Sequence, residues 1–217
     1  MKYGESTFDI LYLLFAILTG IIILIRHRDR KDVLMGTAAL MLGIGDSFHL
    51  VPRVLNYFID RDFTWYLGFG KLVTSITMTV FYILVFLLYK NVYKREDKTT
   101  KTIGITIYVL AALRIALCLA PGNKWFTGDG TILWAVLRNL PFIVIGGIVV
   151  YLYFKVRRED RYLSRLWIYT LLSFLFYIPV AIFASLLPIL GMLMLPKTVC
   201  YILMLASFIR KQNGNLK

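Results

Sequence analysis

The chain has 217 residues, 59% of them hydrophobic, and a mean hydropathy of +0.72. Soluble domains are about 45–50% apolar, so this composition argues against a soluble globular fold and predicts a polytopic membrane protein. The net charge of +13, from 25 Lys and Arg against 12 Asp and Glu, needs no nucleic acid: membrane topology and anionic lipid account for it.

Seven apolar runs follow one another, at 8–25, 33–57, 65–89, 103–121, 132–154, 166–187 and 189–209. Each is long enough to cross a bilayer as a helix rising about 1.5 Å per residue. The first, Phe8–Ile25, lacks a basic flank and a small-residue cleavage site, which predicts a retained helix rather than a signal peptide. The sixth and seventh are joined by a very short turn near Pro188–Gly191. Together they are too long for one crossing of a ~30 Å hydrocarbon core. The expected fold is an all-α bundle of seven transmembrane helices in a single domain, 1–217.

The connections alternate in charge. Basic residues follow span one (Arg26, Arg28, Arg30, Lys31), surround the third connection (Lys90 to Lys101) and the fifth (Lys155 to Arg165), and return in the tail (Arg210, Lys211, Lys217), seventeen in all. The other side holds Lys2, Arg61 and Lys124. The positive-inside rule puts the basic side in the cytoplasm. The N-terminus is then outside and the C-terminus inside, in a multi-pass protein of the plasma membrane.

Five basic residues remain inside the apolar runs: Arg53, Lys71, Arg114, Arg138 and Lys197. Asp46 is the one acid well inside a run. Counted from position 53 in span two and from the outer end of each other span, Asp46, Lys71, Arg114, Arg138 and Lys197 lie roughly 9–12 Å deep. Charge within a bilayer costs about 2.5–3.5 kcal/mol per centred group and usually lines a cavity or pathway. One carboxylate cannot neutralise five cations. A dry, unpaired excess would cost on the order of 10 kcal/mol, so water or an anion is expected in an outward-open cavity.

Span two carries the densest pattern, Gly43-Ile44-Gly45-Asp46-Ser47-Phe48-His49-Leu50-Val51-Pro52-Arg53. Asp46, His49 and Arg53 are spaced i, i+3, i+7 and share one helical face. Asp46 can accept a hydrogen bond from His49 or pair with a basic residue of a neighbouring helix. The glycines permit close helix approach, and Pro52 removes a backbone bond near Phe48. Matching stripes are Lys71, Ser75, Met78 and Tyr82 in span three; Arg138 and Asn139 ahead of Pro141 in span five; Thr170, Ser173 and Tyr177 in span six; and Lys197, Tyr201 and Met204 in span seven. The candidate ligand-binding set is therefore Asp46, His49, Arg53, Lys71, Arg114, Arg138, Asn139, Tyr177, Lys197 and Tyr201. Arg suits a phosphate or carboxylate because its planar fork meets two oxygens at once.

Two histidines and two separated cysteines, Cys118 and Cys200, make no metal-ligand spacing. The expectation is no metal site, no cofactor and free, packed thiols.

Lys197 in a seventh helix resembles the retinal-bearing lysine of rhodopsins. Microbial rhodopsins carry Asp four residues earlier, where this chain has Leu193, and their third-helix carboxylates are absent here. Phe48-His49-Leu50-Val51 with Asn139 and Pro141 resembles parts of the EXPERA fold of sterol isomerases and sigma-2-type receptors. That fold's catalytic acids have no counterpart, since span three has Lys71 and no carboxylate, and its activity is not carried over.

The leading expectation is a protein that binds, and in extension translocates, an anionic small molecule or lipid headgroup, with membrane lipids as further partners. The alternatives are an intramembrane enzyme with Asp46 and His49 as acid–base pair, and a seven-helix receptor or retinal-type protein using Lys197.

Overall fold

The computed structural model describes residues 2–183 and 187–214. Seven helices account for most of them: α1 Lys2–Ile25, α2 Arg30–Phe58, α3 Thr64–Val92, α4 Lys98–Leu119, α5 Ile132–Lys155, α6 Leu166–Phe183 and α7 Met194–Gly214. Short 3-10 turns stand at Pro121–Asn123 and Pro188–Leu193. All seven spans are long and apolar enough to cross a membrane. No strand occurs among the described residues. Residues 184–186, at the end of the sixth sequence-predicted span, and Lys217, among the tail's basic residues, lie outside the described residues.

Local chemistry marks the helix starts. The Asp29 carboxylate accepts from the backbone N–H groups of Lys31 and Asp32 at 2.9 and 3.0 Å. Asp97 does the same for Thr100 N–H at 3.1 Å. Such caps satisfy backbone donors that a helix leaves open at its N-terminus.

Each helix packs against its neighbours in sequence, and α7 returns to α1, so the bundle closes into a ring. α3 also reaches α5. Its Tyr82 hydroxyl lies 3.4 Å from Ser173 Oγ on α6, and Phe81 meets Tyr201 of α7 edge-on at 6.0 Å. The half of the bundle nearer the basic connections is filled with side chains, among them Tyr89, Val149, Tyr153, Leu205 and Phe208, all buried. There the Tyr153 hydroxyl donates to Val85 O at 3.0 Å, and Gln212 ties α7 to the end of α1 through Ile23 O at 2.9 Å. The other half is hollow.

Both cysteines are free and buried, as their apolar surroundings predict.

Candidate functional site

The hollow half holds a cavity of about 580 Å³, walled by α2 to α7 and by the α4–α5 connection. A second, smaller pocket of about 40 Å³ adjoins it, with His49, Arg53, Thr74, Met194 and Lys197 in the walls of both.

The α2–α3 wall is set by two backbones in contact. Pro52 has no N–H to offer the Phe48 carbonyl. Gly70 of α3 approaches that carbonyl so closely that a Cβ there would lie 2.1 Å from Phe48 O. Thr74 Oγ1 donates to Gly45 O at 3.0 Å. This close approach brings His49, Lys71 and Thr74 onto one cavity wall.

Arg114 comes from α4 and is 1% exposed. Its guanidinium carbon lies 3.3 Å from the centroid of the Phe142 ring on α5. Its Nε and Nη1 have no hydrogen-bond partner among the described residues. A cation over an aromatic face is stabilised by the ring quadrupole, but the ring accepts no N–H in the guanidinium plane.

Arg138 is held from outside the helices. Its Nη1 donates to Asn123 Oδ1 at 2.8 Å, and its guanidinium stacks on Trp125 at 4.4 Å. Asn123 is itself buried and fixed: its Nδ2 donates to the carbonyls of Leu117 at 2.6 Å and Ala120 at 2.9 Å. Trp125 Nε1 donates to Cys118 O at 2.8 Å. The α4–α5 connection thus satisfies open carbonyls at the end of α4 and aims one arginine. The polar residues in this connection escape a reading based on apolar runs. The only local signal is an Asn two residues after Pro121 at a helix end.

Lys197 is 7% exposed, and its Nζ lies 4.8 Å from the Tyr177 ring centroid and 5.4 Å from that of Tyr201. Lys71 is exposed to the cavity. None of Lys71, Arg114, Arg138 and Lys197 forms an ion pair among the described residues. The pairs found there are Lys31–Asp29, Arg53–Glu5, Arg95–Glu159 and Lys211–Asp160.

Asn139 and Tyr177 form one unit in the cavity wall. The Tyr177 hydroxyl donates to Asn139 Oδ1 at 2.7 Å, and Asn139 Nδ2 donates to Ala135 O at 2.9 Å. Tyr201 is 2% exposed and lies in the core beneath Lys197 rather than in either wall. The α3 stripe divides likewise: Lys71, Ser75 and Met78 line the cavity, while Tyr82 is fully buried in the core.

Three sequence expectations need correction. Arg53 is not a free cation: Glu5 pairs with it and also accepts from the Tyr57 hydroxyl at 2.9 Å. Asp46 is not the only deep acid, because Asp9 is 4% exposed and shares the smaller pocket with it. Both corrections have one cause. α1 starts at Lys2 rather than at 8, and the added residues, about 9 Å of helix, carry Glu5 and bury Asp9 within the bundle. The third concerns the Asp46–His49 bond. Asp46 Oδ2 accepts from the Tyr12 hydroxyl at 2.6 Å, and His49 Nδ1 has no partner among the described residues. The expected shared face of Asp46, His49 and Arg53 does hold, since all three line the smaller pocket. Charge is partly sorted: acids of α1 and α2 gather on the α1 side, Lys71, Arg114 and Arg138 line the larger cavity alone, and Lys197 lines both pockets.

The chain matches no protein-family model, no curated protein and no solved structure.

Proposed function

We propose that the protein is a plasma-membrane protein that binds an anionic small molecule or lipid headgroup in the larger cavity and serves its passage across the membrane. The observation that carries this reading is the wall of four cations, Lys71, Arg114, Arg138 and Lys197, none in a direct ion pair among the described residues, although Lys197 also faces the pocket of Asp46. Buried charge is tolerated in a bilayer when it is paired or lines a wet path. An anion supplies the pairing that the protein withholds.

In this reading the basic connections face the cytoplasm, and the cavity, at the other end, opens outward. The filled half of the bundle would act as the closed gate. Translocation then requires the packing around Tyr89 and Tyr153 to open.

The acid–base alternative draws less support, because the Asp46 carboxylate is engaged by Tyr12 and not by His49. A retinal-type use of Lys197 leaves Lys71, Arg114 and Arg138 without a role.

The test is thermal unfolding of the purified protein in detergent. A ligand that binds only the folded state stabilises it by about 2.7 kcal/mol at a hundredfold excess over Kd. Inorganic phosphate or citrate should raise the melting temperature, and glycerol should not. Arg138→Gln and Lys197→Gln should each abolish the increment while the ligand-free variants still melt cooperatively. If no anion shifts the parent protein, or the variants respond as it does, the reading fails.

A further inference from the structure

The cavity is larger than a compact anion needs. Its volume of about 580 Å³ falls within the roughly 300–1,000 Å³ range of sites for drug-sized ligands. A single water occupies only about 30 Å³ in the liquid, so a bare phosphate among the arginines leaves most of the space unfilled.

Its walls also differ in kind. The unpaired cations come from α3, α4, α5 and α7. α6 contributes Tyr177, Val180, Ala181 and Ile182 and has no charged residue anywhere in Leu166–Phe183.

The α6 wall has a further peculiarity. Val180, Ala181 and Ile182 are consecutive, and all three line the cavity. At 3.6 residues per turn, three consecutive positions sweep roughly 200° of helix surface. A cavity confined to the bundle interior would meet one stripe only. Thr170, Ser173 and Tyr177 mark the inward stripe, with Thr170 and Ser173 buried. Val180 and Ala181 continue it. Ile182 lies seven residues, two turns, beyond Leu175, which is 55% exposed on the outer surface. The cavity wall therefore extends past the inward stripe of α6, beyond Pro179, to the half-buried Ile182.

Resting on the anion-binding reading above, we infer that the ligand is an amphiphile: a phosphate or carboxylate head seated among Arg114, Arg138 and Lys197, with a hydrocarbon chain that leaves the bundle past Ala181 and Ile182. The uncharged α6 wall suits a chain as the opposite walls suit a head. Entry would be lateral, from the bilayer, as well as from the aqueous mouth.

The experiment places the full-length protein in phosphatidylcholine nanodiscs and follows its melting temperature. The probes are inorganic phosphate, dodecyl phosphate, dodecanoate and neutral monododecanoyl glycerol. Dodecyl phosphate or dodecanoate should give half-maximal stabilisation at a concentration at least about tenfold below that of inorganic phosphate, a difference of 1.4 kcal/mol or more. The stronger of the two identifies the head. Ala181→Trp narrows the passage, and Ile182→Gln makes its rim polar at a half-buried position. Each should raise the concentration of the chain-bearing anion required and leave inorganic phosphate unchanged. Equal potency of inorganic phosphate and both chain-bearing anions overturns the amphiphile alone. Equal potency of monododecanoyl glycerol and the chain-bearing anions overturns the anionic site on which the inference rests. No shift from any probe overturns both. If Ile182→Gln weakens inorganic phosphate as much as the chain-bearing anion, the path round α6 is wrong.

Discussion

Arg138 donates to Asn123 Oδ1 at 2.8 Å while Asn123 Nδ2 donates to the last carbonyls of α4. A residue between the helices thus spans a helix end and a cationic side chain. Through this amide and the Trp125 ring, the α4–α5 connection is tied to the chemistry of the cavity.

Asn123→Ala should lower stability by about 1–3 kcal/mol, because it strands buried carbonyls. It should also weaken phosphate-induced stabilisation by releasing Arg138. Asn123→Asp keeps an acceptor for Arg138 but loses the donors and adds a negative charge. It should weaken the phosphate response more than the alanine variant does. Melting curves with and without phosphate separate the two effects. Equal responses from both variants would show that Arg138 acts independently of position 123.

The α2–α3 contact predicts a strong asymmetry between two glycines. A methyl group at Gly70 would lie 2.1 Å from Phe48 O and 2.6 Å from the His49 Cα. Both are backbone atoms and cannot rotate away. Gly70→Ala should cost at least the roughly 1–3 kcal/mol of overpacking. At Gly147 a Cβ meets nothing within 4 Å, so Gly147→Ala should be neutral or slightly stabilising. Comparable melting temperatures for the two variants would contradict the helix approach described here.

A pH dependence follows from the α5–α6 connection. Burial of Asp160 favours its neutral form, but the Lys211 ammonium and the backbone N–H groups of Leu163 and Tyr162 outweigh it and hold the carboxyl below its ordinary value. A carboxylate lowered in this way adds stability above its unfolded-state value and loses it as pH falls through the folded-state value. Lys211→Ala should therefore destabilise the protein at pH 7 by about 1.5–3 kcal/mol, the scale of a hydrogen bond to a charged group. The gap to the parent should close in acid, below the ordinary carboxylate range. Parallel melting series from pH 7 to pH 3 check this. A gap that persists unchanged would place the effect in packing rather than charge.

Topology offers a test that needs no ligand. Reporter fusions after Gln212 and within residues 94–97 should both read cytoplasmic, and a tag ahead of Lys2 should be accessible from outside. The expectation rests on the concentration of basic residues in alternate connections and the positive-inside rule. An external signal from one fusion alone would overturn the span count, and from both it would invert the cavity's orientation and move the proposed ligand to the cytoplasmic side.

The number of helices and their order follow from the sequence alone. Apolar run length sets both, because about 20 apolar residues suffice for one crossing whatever a helix packs against. Depth follows less directly: α1 starts six residues before its apolar run, which moves Asp9 inward, and α7 starts at Met194, which puts Lys197 only three residues into its helix. Pairing is another matter. A membrane helix such as α4 is apolar on its lipid side and its protein side alike, with Ile105, Val109 and Leu113 exposed while Ile107 and Ala111 are buried. Hydrophobic periodicity therefore gives little account of how the helix is rotated. Only the tertiary structure decided that Glu5 takes Arg53, that Tyr12 takes Asp46, and that Asn123 holds Arg138 from a connection. Each of these contacts joins segments whose proximity depends on how helices rotate and extend, α1 by its extra turns and the α4–α5 connection by folding back on a helix end. Hydropathy carries no information on either.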